Sequence, residues 1–303
     1  MVGRGELTHV AWERIAPLLP SVDGRGRPWR DHRQVINGVL WRLRTGAPWR
    51  DLPERYGPWQ TVYERFARWE ADGTWARLLE EAQVRDDSVG AVEWTVSVDS
   101  TISRAHQHAA GAPKKGAEAG DELEDPARAA ARQALGRSRG GLTTKVHLAC
   151  DGRGLPLAVV VTPGNVNDST VFDTVMDELR VPRGGAGRPR RRPDAVLADK
   201  AYSSRAIRRG LRERNIRTVI PERADQEANR LRRGQAGGRP PAFDRELYRA
   251  RNVVERCFGR LKQFRAIATR FDKLADRYRA GVHLAALILW LREPAQDPLS
   301  DSP

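Results

Sequence analysis

The chain has 303 residues, of which 40% are hydrophobic and 30% charged, so it is long enough to bury one large core or two smaller ones. Its longest apolar run, residues 284–291, is far shorter than the roughly 20 residues that cross a bilayer, and residues 1–8 contain no export signal. These features exclude a disordered chain and a membrane-spanning protein. We expect the protein to act in the cytoplasm.

The charge balance favours a polyanionic partner. The chain contains 53 Lys and Arg against 39 Asp and Glu, which gives a formal net charge of +14. Because each phosphate contacted by Arg or Lys releases counterions, such a surplus is typical of nucleic-acid binding. The alternative is a biased codon usage that enriches surface Arg without any binding role. Cys150 and Cys257 lie outside any CxxC or Cys/His cluster, so the sequence does not support a zinc site.

Residues 1–90 predict a small all-helical domain. Thr8 can cap a first helix that ends near Pro20, and Asp31 can cap a second that ends near Gly46. A third amphipathic helix follows the turn at residues 56–58.

The third helix has a polar side that resembles a DNA-reading surface. Its apolar residues are Trp59, Val62, Phe66 and Trp69. The polar residues left outside are Gln60, Thr61, Arg65 and Arg68. Short helices joined by a Gly turn and ending in such a surface are typical of a helix-turn-helix reader of the major groove. The alternative is the ordinary solvated face of a small helical bundle.

Residues 91–295 predict a mixed α/β domain, because strand and helix patterns alternate there. Strands are predicted at 92–99, 142–149, 155–162, 194–198 and 217–220, and helices at 171–179, 203–214, 246–263 and 273–292. Basic and Gly-rich insertions are predicted at 107–141 and 221–245, and a disordered tail at 296–303.

Two aspartates directly follow predicted strands. Asp99 ends the first strand of this domain and Asp199 follows the strand at 194–198. Since ligand groups in open α/β sheets collect at the carboxyl ends of strands, the two carboxylates can share one crevice. The alternative for either aspartate alone is a turn or helix-cap residue.

The helix predicted at 246–263 presents a polar stripe. At about 100° per residue, Tyr248, Arg251, Glu255 and Lys262 fall within an arc of roughly 60°. The alternative is a solvated face stabilised by an Arg251 to Glu255 pair.

Three carboxylates at one point repel each other unless a cation lies between them, and oxygen ligands suit Mg²⁺ or Mn²⁺. Two such ions can support an in-line phosphoryl displacement, with Arg251 and Lys262 contacting phosphate oxygens or securing the helix.

On these residues the sequence resembles the DDE transposases of bacterial insertion sequences, in the branch with the signature Y-x2-R-x3-E-x6-K. Tyr248, Arg251, Glu255 and Lys262 match that signature completely. Four further segments are similar to the family: VSVDST at 96–101, LADKAY at 197–202, GGLTTK at 140–145 and LWRLRTGAPWRDLP at 40–53.

The resemblance implies an RNase H-like catalytic core in which Asp99, Asp199 and Glu255 bind two Mg²⁺ or Mn²⁺ ions and catalyse DNA cleavage and strand transfer. Tyr248, Arg251 and Lys262 are then supporting residues. We expect double-stranded DNA as the partner, as element ends and target, and a homodimer on the DNA of the bacterial nucleoid. The expected DNA contacts are Gln60, Thr61, Arg65, Arg68, Arg137, Arg139 and Lys145.

Two alternatives stay open. A nuclease with the same metal site would cut DNA without joining it, and the carboxylates alone do not separate the two enzymes. A DNA-binding repressor, or a remnant with an unused catalytic site, would bind without chemistry. All three acidic residues are present, which argues against decay of the site.

Overall fold

The computed structural model describes residues 5–20, 29–110, 133–138 and 140–292. The chain forms two compact units. The first, here called the helical unit, combines residues 1–83, 105–113 and 260–303, and the second, the sheet unit, combines residues 84–104 and 114–259. The units therefore cross the linear boundary expected near residue 90, because the end of the chain packs with the N-terminal helices.

The described elements alternate between helices and strands after a helical beginning. The helices are α1 (His9–Ile15), α2 (His32–Thr45), α3 (Trp59–Ala71), α4 (Thr74–Ser88), α5 (Gln107–Ala110), α6 (Asp168–Glu178), α7 (Arg205–Glu213), α8 (Ala224–Arg232), α9 (Arg245–Tyr248), α10 (Asn252–Lys262), α11 (Arg265–Ala268) and α12 (Ala275–Leu291). The strands are β1 (Thr95–Ala105), β2 (Gly136–Ser138), β3 (Gly141–Cys150), β4 (Pro156–Pro163), β5 (Ala195–Ala198), β6 (Arg217–Val219) and β7 (Thr269–Arg270).

The first two helices begin where their capping residues predict. The Thr8 hydroxyl accepts a hydrogen bond from the Ala11 amide at the start of α1, and the Asp31 carboxylate accepts one from Gln34 at the start of α2. Helix α2 ends at Gly46, whose φ of 71° is left-handed and favours glycine. The predicted caps and the predicted end of α2 are confirmed, whereas α1 ends at Ile15 and is followed by a 3₁₀ turn at Ala16–Leu18, before the predicted end near Pro20.

The core of the helical unit is built on aromatic side chains and one buried ion pair. Phe66, Trp69 and Trp75 are fully enclosed. Arg42 of α2 donates two hydrogen bonds, of 3.0 and 2.9 Å, to the carboxylate of Asp272, and both side chains are buried. This bidentate pair links α2 to the segment before α12, which explains why the end of the chain belongs to this unit.

The sheet unit is organised by a mixed sheet. Its strand order is β4, β3, β1, β5, β6, and β2 pairs with the beginning of β3. Strands β1 and β3 are antiparallel, whereas β1, β5 and β6 run parallel to one another. The predicted mixed α/β core, with a sheet that combines antiparallel and parallel pairs, is confirmed.

Several predicted boundaries are wrong for local reasons. Strand β1 continues past Asp99 to Ala105, because its second half pairs with residues 143–147 of β3. The loop predicted across 221–245 contains α8, whose sequence is rich in Ala, Gln, Leu and Arg, all good helix formers. Helix α4 was not predicted.

The helix predicted at 246–263 is interrupted. A 3₁₀ turn at Arg249–Arg251 separates α9 from α10. In α10, Val253, Val254, Cys257 and Leu261 are buried as their spacing predicted.

Within the described ranges, the helices are too short or too polar to cross a membrane.

Candidate active site

Asp99 and Asp199 are placed side by side by the pairing of β1 with β5. Val98 and Ala198 are direct partners in this parallel pair, and each aspartate is the next residue along its strand direction. Adjacent strands lie about 4.8 Å apart, so the two carboxylates start from neighbouring positions. The residues that hold the strands together, among them Val96, Val98 and Leu197, are completely buried.

Asp99 is a largely buried carboxylate held by two donors. Its Oδ1 accepts a hydrogen bond of 2.8 Å from the Ser100 amide, and its Oδ2 accepts one of 2.7 Å from Arg251. Burial raises the pKa of Asp99, and the negative charges of Asp199 and Asp168 raise it further, although Ser100 and Arg251 act in the opposite direction. The ionised form of Asp99 therefore depends on a positive neighbour.

Arg251 connects Glu255 to this pair. Its Nη2 lies 2.7 Å from Asp99 Oδ2, and its Nη1 lies 2.9 Å from Glu255 Oε1. The Glu255 side chain is 58% exposed, whereas those of Asp99 and Arg251 are 18% and 16% exposed. Glu255 thus joins the aspartates through a guanidinium group. Across the described residues, no three acidic, His or Cys side chains form a preassembled metal cluster.

Tyr248 packs beside the site on the sheet. It is half-buried against Ala195, Leu197 and Val219, the core residues of β5 and β6. Burial raises the pKa of its phenol, and the nearby charges of Asp199, Asp99 and Glu255 add to that increase, while Arg251 opposes it. Tyr248 therefore lies beside the two aspartates, at the parallel edge of the sheet.

Sequence reasoning missed a fourth carboxylate, Asp168, in the same region. It is the first residue of α6, and its charge raises the pKa of Asp99. The side chain of Tyr202 is buried, and its phenol pKa is raised first by burial and then by Asp168, Asp99 and Asp199. The signal lay in Asn167, which caps α6 by accepting from Ser169, and places the helix start at Asp168 rather than near residue 171.

Lys145, an expected DNA contact, forms its hydrogen bonds inside the sheet unit. Its ammonium donates to Asp168 Oδ1 and to the Val166 carbonyl, both at 2.8 Å, and its side chain is only 13% exposed. His147, two residues along β3, bonds Thr162 through Nε2 at 2.8 Å. Burial lowers the pKa of His147 to about 4, so the ring is neutral near pH 7.

The donor chemistry of this region fits a hard divalent cation. Asp99, Asp199 and Glu255 offer only carboxylate oxygens, the ligands that Mg²⁺ and Mn²⁺ prefer. The raised pKa of Asp99 reflects burial and the negative charges around it, and a bound cation would lower that pKa by favouring the charged carboxylate.

Comparison with known families decides what kind of protein this is. Residues 90–291 match the family model described as "Transposase DDE domain", and residues 7–79 match the model "Putative transposase of IS4/5 family". The chain belongs to the DDE transposases of insertion sequences.

Two curated relatives of this transposase have similar descriptions. "Putative transposase for insertion sequence element IS402" from Burkholderia cepacia is 37% identical over 155 residues, which cover 51% of this chain and 65% of that protein. "Putative transposase for insertion sequence element IS6501" from Brucella ovis is 31% identical over 151 residues, which cover 50% of this chain and 100% of that protein. The matched region thus spans just under two thirds of the first relative.

The chain can also be aligned with a solved structure, "Mos1 transposase paired-end complex with left transposon end". The alignment covers 81% of this chain and 82% of the chain in that structure. Its sequence identity is 12% and its TM-score is 0.24, values too low to support a conclusion about this protein.

Arg65 of the transposase is buried, contrary to the prediction that its side chain lies on the polar outer side of α3. Its guanidinium lies 3.9 Å from the ring centre of Trp29 and bonds His32 Nδ1 at 2.9 Å. Burial lowers the pKa of His32, which favours the neutral ring that can accept this bond. Trp29 precedes α2 and His32 is its first residue. The sequence of α3 alone could therefore not reveal this packing.

The other predicted DNA contacts differ in exposure. Gln60 and Arg68 are exposed and Thr61 is partly buried on α3, and Arg137 is exposed on β2. Arg139 lies outside the described residues. Lys262 is the last residue of α10, within the helical unit, and burial lowers the pKa of its ammonium.

The ion pairs of Arg251 predict unequal effects on stability. Arg251→Met leaves the buried Asp99 charge without its cation, so we expect the free energy of unfolding to fall by about 3 kcal/mol. Glu255→Gln breaks only the exposed ion pair and should cost less than about 1 kcal/mol. Urea denaturation followed by circular dichroism measures both changes, and equal losses would contradict this view of the site.

Proposed function

We propose that this transposase binds the ends of its insertion sequence and catalyses metal-dependent DNA cleavage and strand transfer into target DNA. The observation that supports it best is the position of Asp99 and Asp199 on neighbouring parallel strands, with Glu255 tied to Asp99 by Arg251. Three separate parts of the chain thereby supply acidic side chains to one region, as the chemistry requires.

The three carboxylates of Asp99, Asp199 and Glu255 would hold two Mg²⁺ or Mn²⁺ ions. Such ions, when bound, activate an attacking oxygen and stabilise the leaving oxygen of a phosphodiester. Arg251 orients Asp99 and Glu255, since it donates to both, and can turn one of its N–H groups to a phosphate oxygen. The Tyr202 ring is buried and the Tyr248 ring is half-buried near the two aspartates, whose charges raise the pKa of both phenols.

The reaction consists of two displacements at phosphorus. Water first cleaves a phosphodiester bond at the element end and leaves a 3′-hydroxyl group. That hydroxyl then attacks a phosphodiester of the target strand, which joins the element to the target and releases a new 3′-hydroxyl. Both steps use the same arrangement of an attacking and a leaving oxygen, so one acidic site serves both.

The partner is double-stranded DNA, which the net charge of +14 supports. We assign end recognition to the N-terminal helices, with Gln60, Thr61 and Arg68 on α3, and a supporting contact to Arg137. Because an element has two ends, we expect a homodimer to form on the DNA. The reaction takes place where the chromosome lies, in the cytoplasm.

Strand transfer tests the proposal directly. Purified protein is incubated with Mg²⁺, a labelled duplex that carries the element ends, and a supercoiled target plasmid. We expect labelled plasmid with the wild type and a loss of at least about a hundredfold with Asp99→Asn, because that change removes a charged ligand. Asp177→Asn, the same change at an exposed residue of α6, is the matched control and should retain activity.

The alternatives give other products in that assay. Cleavage without joining would identify a nuclease. Salt-sensitive binding with neither reaction would identify a DNA-binding remnant or repressor. Joining that persists in Asp99→Asn would contradict the assigned site.

The two arginines of α3 predict separate effects. Arg68→Ala removes an exposed cation, so we expect DNA affinity to fall while the melting temperature stays within about 1 °C. Arg65→Ala removes a buried guanidinium that packs on Trp29, so we expect a clear fall in melting temperature. Fluorescence anisotropy with an end-bearing duplex and thermal unfolding measure the two properties. Unchanged DNA affinity in Arg68→Ala would contradict end recognition by this residue.

A further inference from the structure

A basic groove lies at the edge of the sheet unit, next to β6. It has a volume of about 880 Å³ and is formed by the end of α7, the turn into β6 and the segment that leads into α9. The side chains that matter for its chemistry are Asp194, Arg212, Arg217, Phe243, Asp244 and Arg245. Arg212, Arg217 and Arg245 are absent from the set of DNA contacts assigned above.

The acidic groups of this groove are neutralised within the protein. Arg217 lies 2.6 Å from Asp244, and Asp194 is paired with Arg190 at 3.1 Å. These pairs leave the positive charges of Arg212 and Arg245 uncompensated by the groove's own carboxylates.

Arg212 and Arg245 are exposed and available to a ligand. Among the described residues, neither guanidinium forms an ion pair or a hydrogen bond with another side chain or with the backbone. A guanidinium group binds a phosphate through two parallel N–H donors. Two such groups along one groove suit a ligand with repeated phosphates.

The groove is connected to the acidic residues through Phe243 and α9. Arg245 and Tyr248 are the two ends of α9, and the exposed ring of Phe243 packs edge-on against Tyr248 at 5.2 Å between ring centres. Tyr248 lies close enough to Asp99 and Asp199 for their charges to raise the pKa of its phenol. A polymer that passes the carboxylates can therefore follow this wall of the sheet unit.

We propose that this groove binds the phosphodiester backbone of duplex DNA beside the point of cleavage, with Arg212 and Arg245 on successive phosphates of one strand. The exposed edge of Phe243 packs against a deoxyribose. This assignment rests on the proposed function, because the strand in the groove is the one whose phosphodiester the acidic site attacks.

Salt dependence of DNA binding tests the groove. The double variant Arg212→Ala, Arg245→Ala loses two phosphate contacts, so the slope of log K against log salt should become shallower by about 1.8. At 0.1 M salt that change corresponds to a loss of affinity of roughly tenfold or more. Lysine at both positions keeps the charges and should restore most of the slope.

The matched control is Arg205→Ala, Arg209→Ala, which removes two charges from exposed residues of the same helix that do not line the groove. We expect this variant to bind an end-bearing duplex with nearly the wild-type slope. An equal decrease of the salt slope in both variants, or an unchanged slope in the groove variant, would overturn the assignment of the groove.

The same preparations separate the groove from the function on which it rests. If the groove variant binds like the wild type while the wild type still joins DNA, the groove proposal is wrong and the proposed function stands. If the wild type binds no duplex at all, both are wrong. A shallower salt dependence of DNA binding in the groove variant, together with joining by the wild type, supports both the groove proposal and the proposed function.

Discussion

The parallel pairing of β1 with β5 is the constraint on which the candidate active site depends. It aligns Val98 with Ala198, so that Asp99 and Asp199, which are a hundred positions apart in sequence, follow their strands at neighbouring places. The buried Val and Leu residues of both strands hold this register, and a slip of one residue would turn either aspartate to the opposite side of the sheet. Hydrophobic packing in the strands thus decides where the acidic chemistry lies.

The carboxylates of this region also need positive partners, because buried negative charges without a nearby cation are destabilising. Asp168 is matched by Lys145, and Asp99 shares Arg251 with the exposed Glu255. Each cation is held by hydrogen bonds as well as by charge, which makes the arrangement directional. Arg251 therefore has two roles. It stabilises the charged form of Asp99, and it holds Glu255, the acidic residue of the Y-x2-R-x3-E-x6-K signature, next to it.

Much of this could be predicted from local patterns. Capping residues located the starts of α1 and α2, and alternation located the strands, while the spacing of Val253, Val254, Cys257 and Leu261 identified the buried side of α10. What local patterns missed depends on tertiary neighbours. Arg65 is buried because Trp29 and His32 cover it, and Lys145 is occupied because α6 brings Asp168 to it. The extension of β1 beyond Asp99 likewise follows from its partner β3 rather than from its own alternation.

Binding of Mn²⁺ to the free protein is the measurement that tests the central claim most directly, since it asks whether these carboxylates form a cation site. Electron paramagnetic resonance of free Mn²⁺ measures the bound fraction without DNA. Saturable binding is expected for the wild type and for the surface control Asp177→Asn. A loss of at least tenfold in affinity is expected for Asp99→Asn and for Asp199→Asn, because each removes one charged oxygen ligand. Wild-type affinity in both aspartate variants would contradict the assignment of Asp99 and Asp199 as the metal-binding residues.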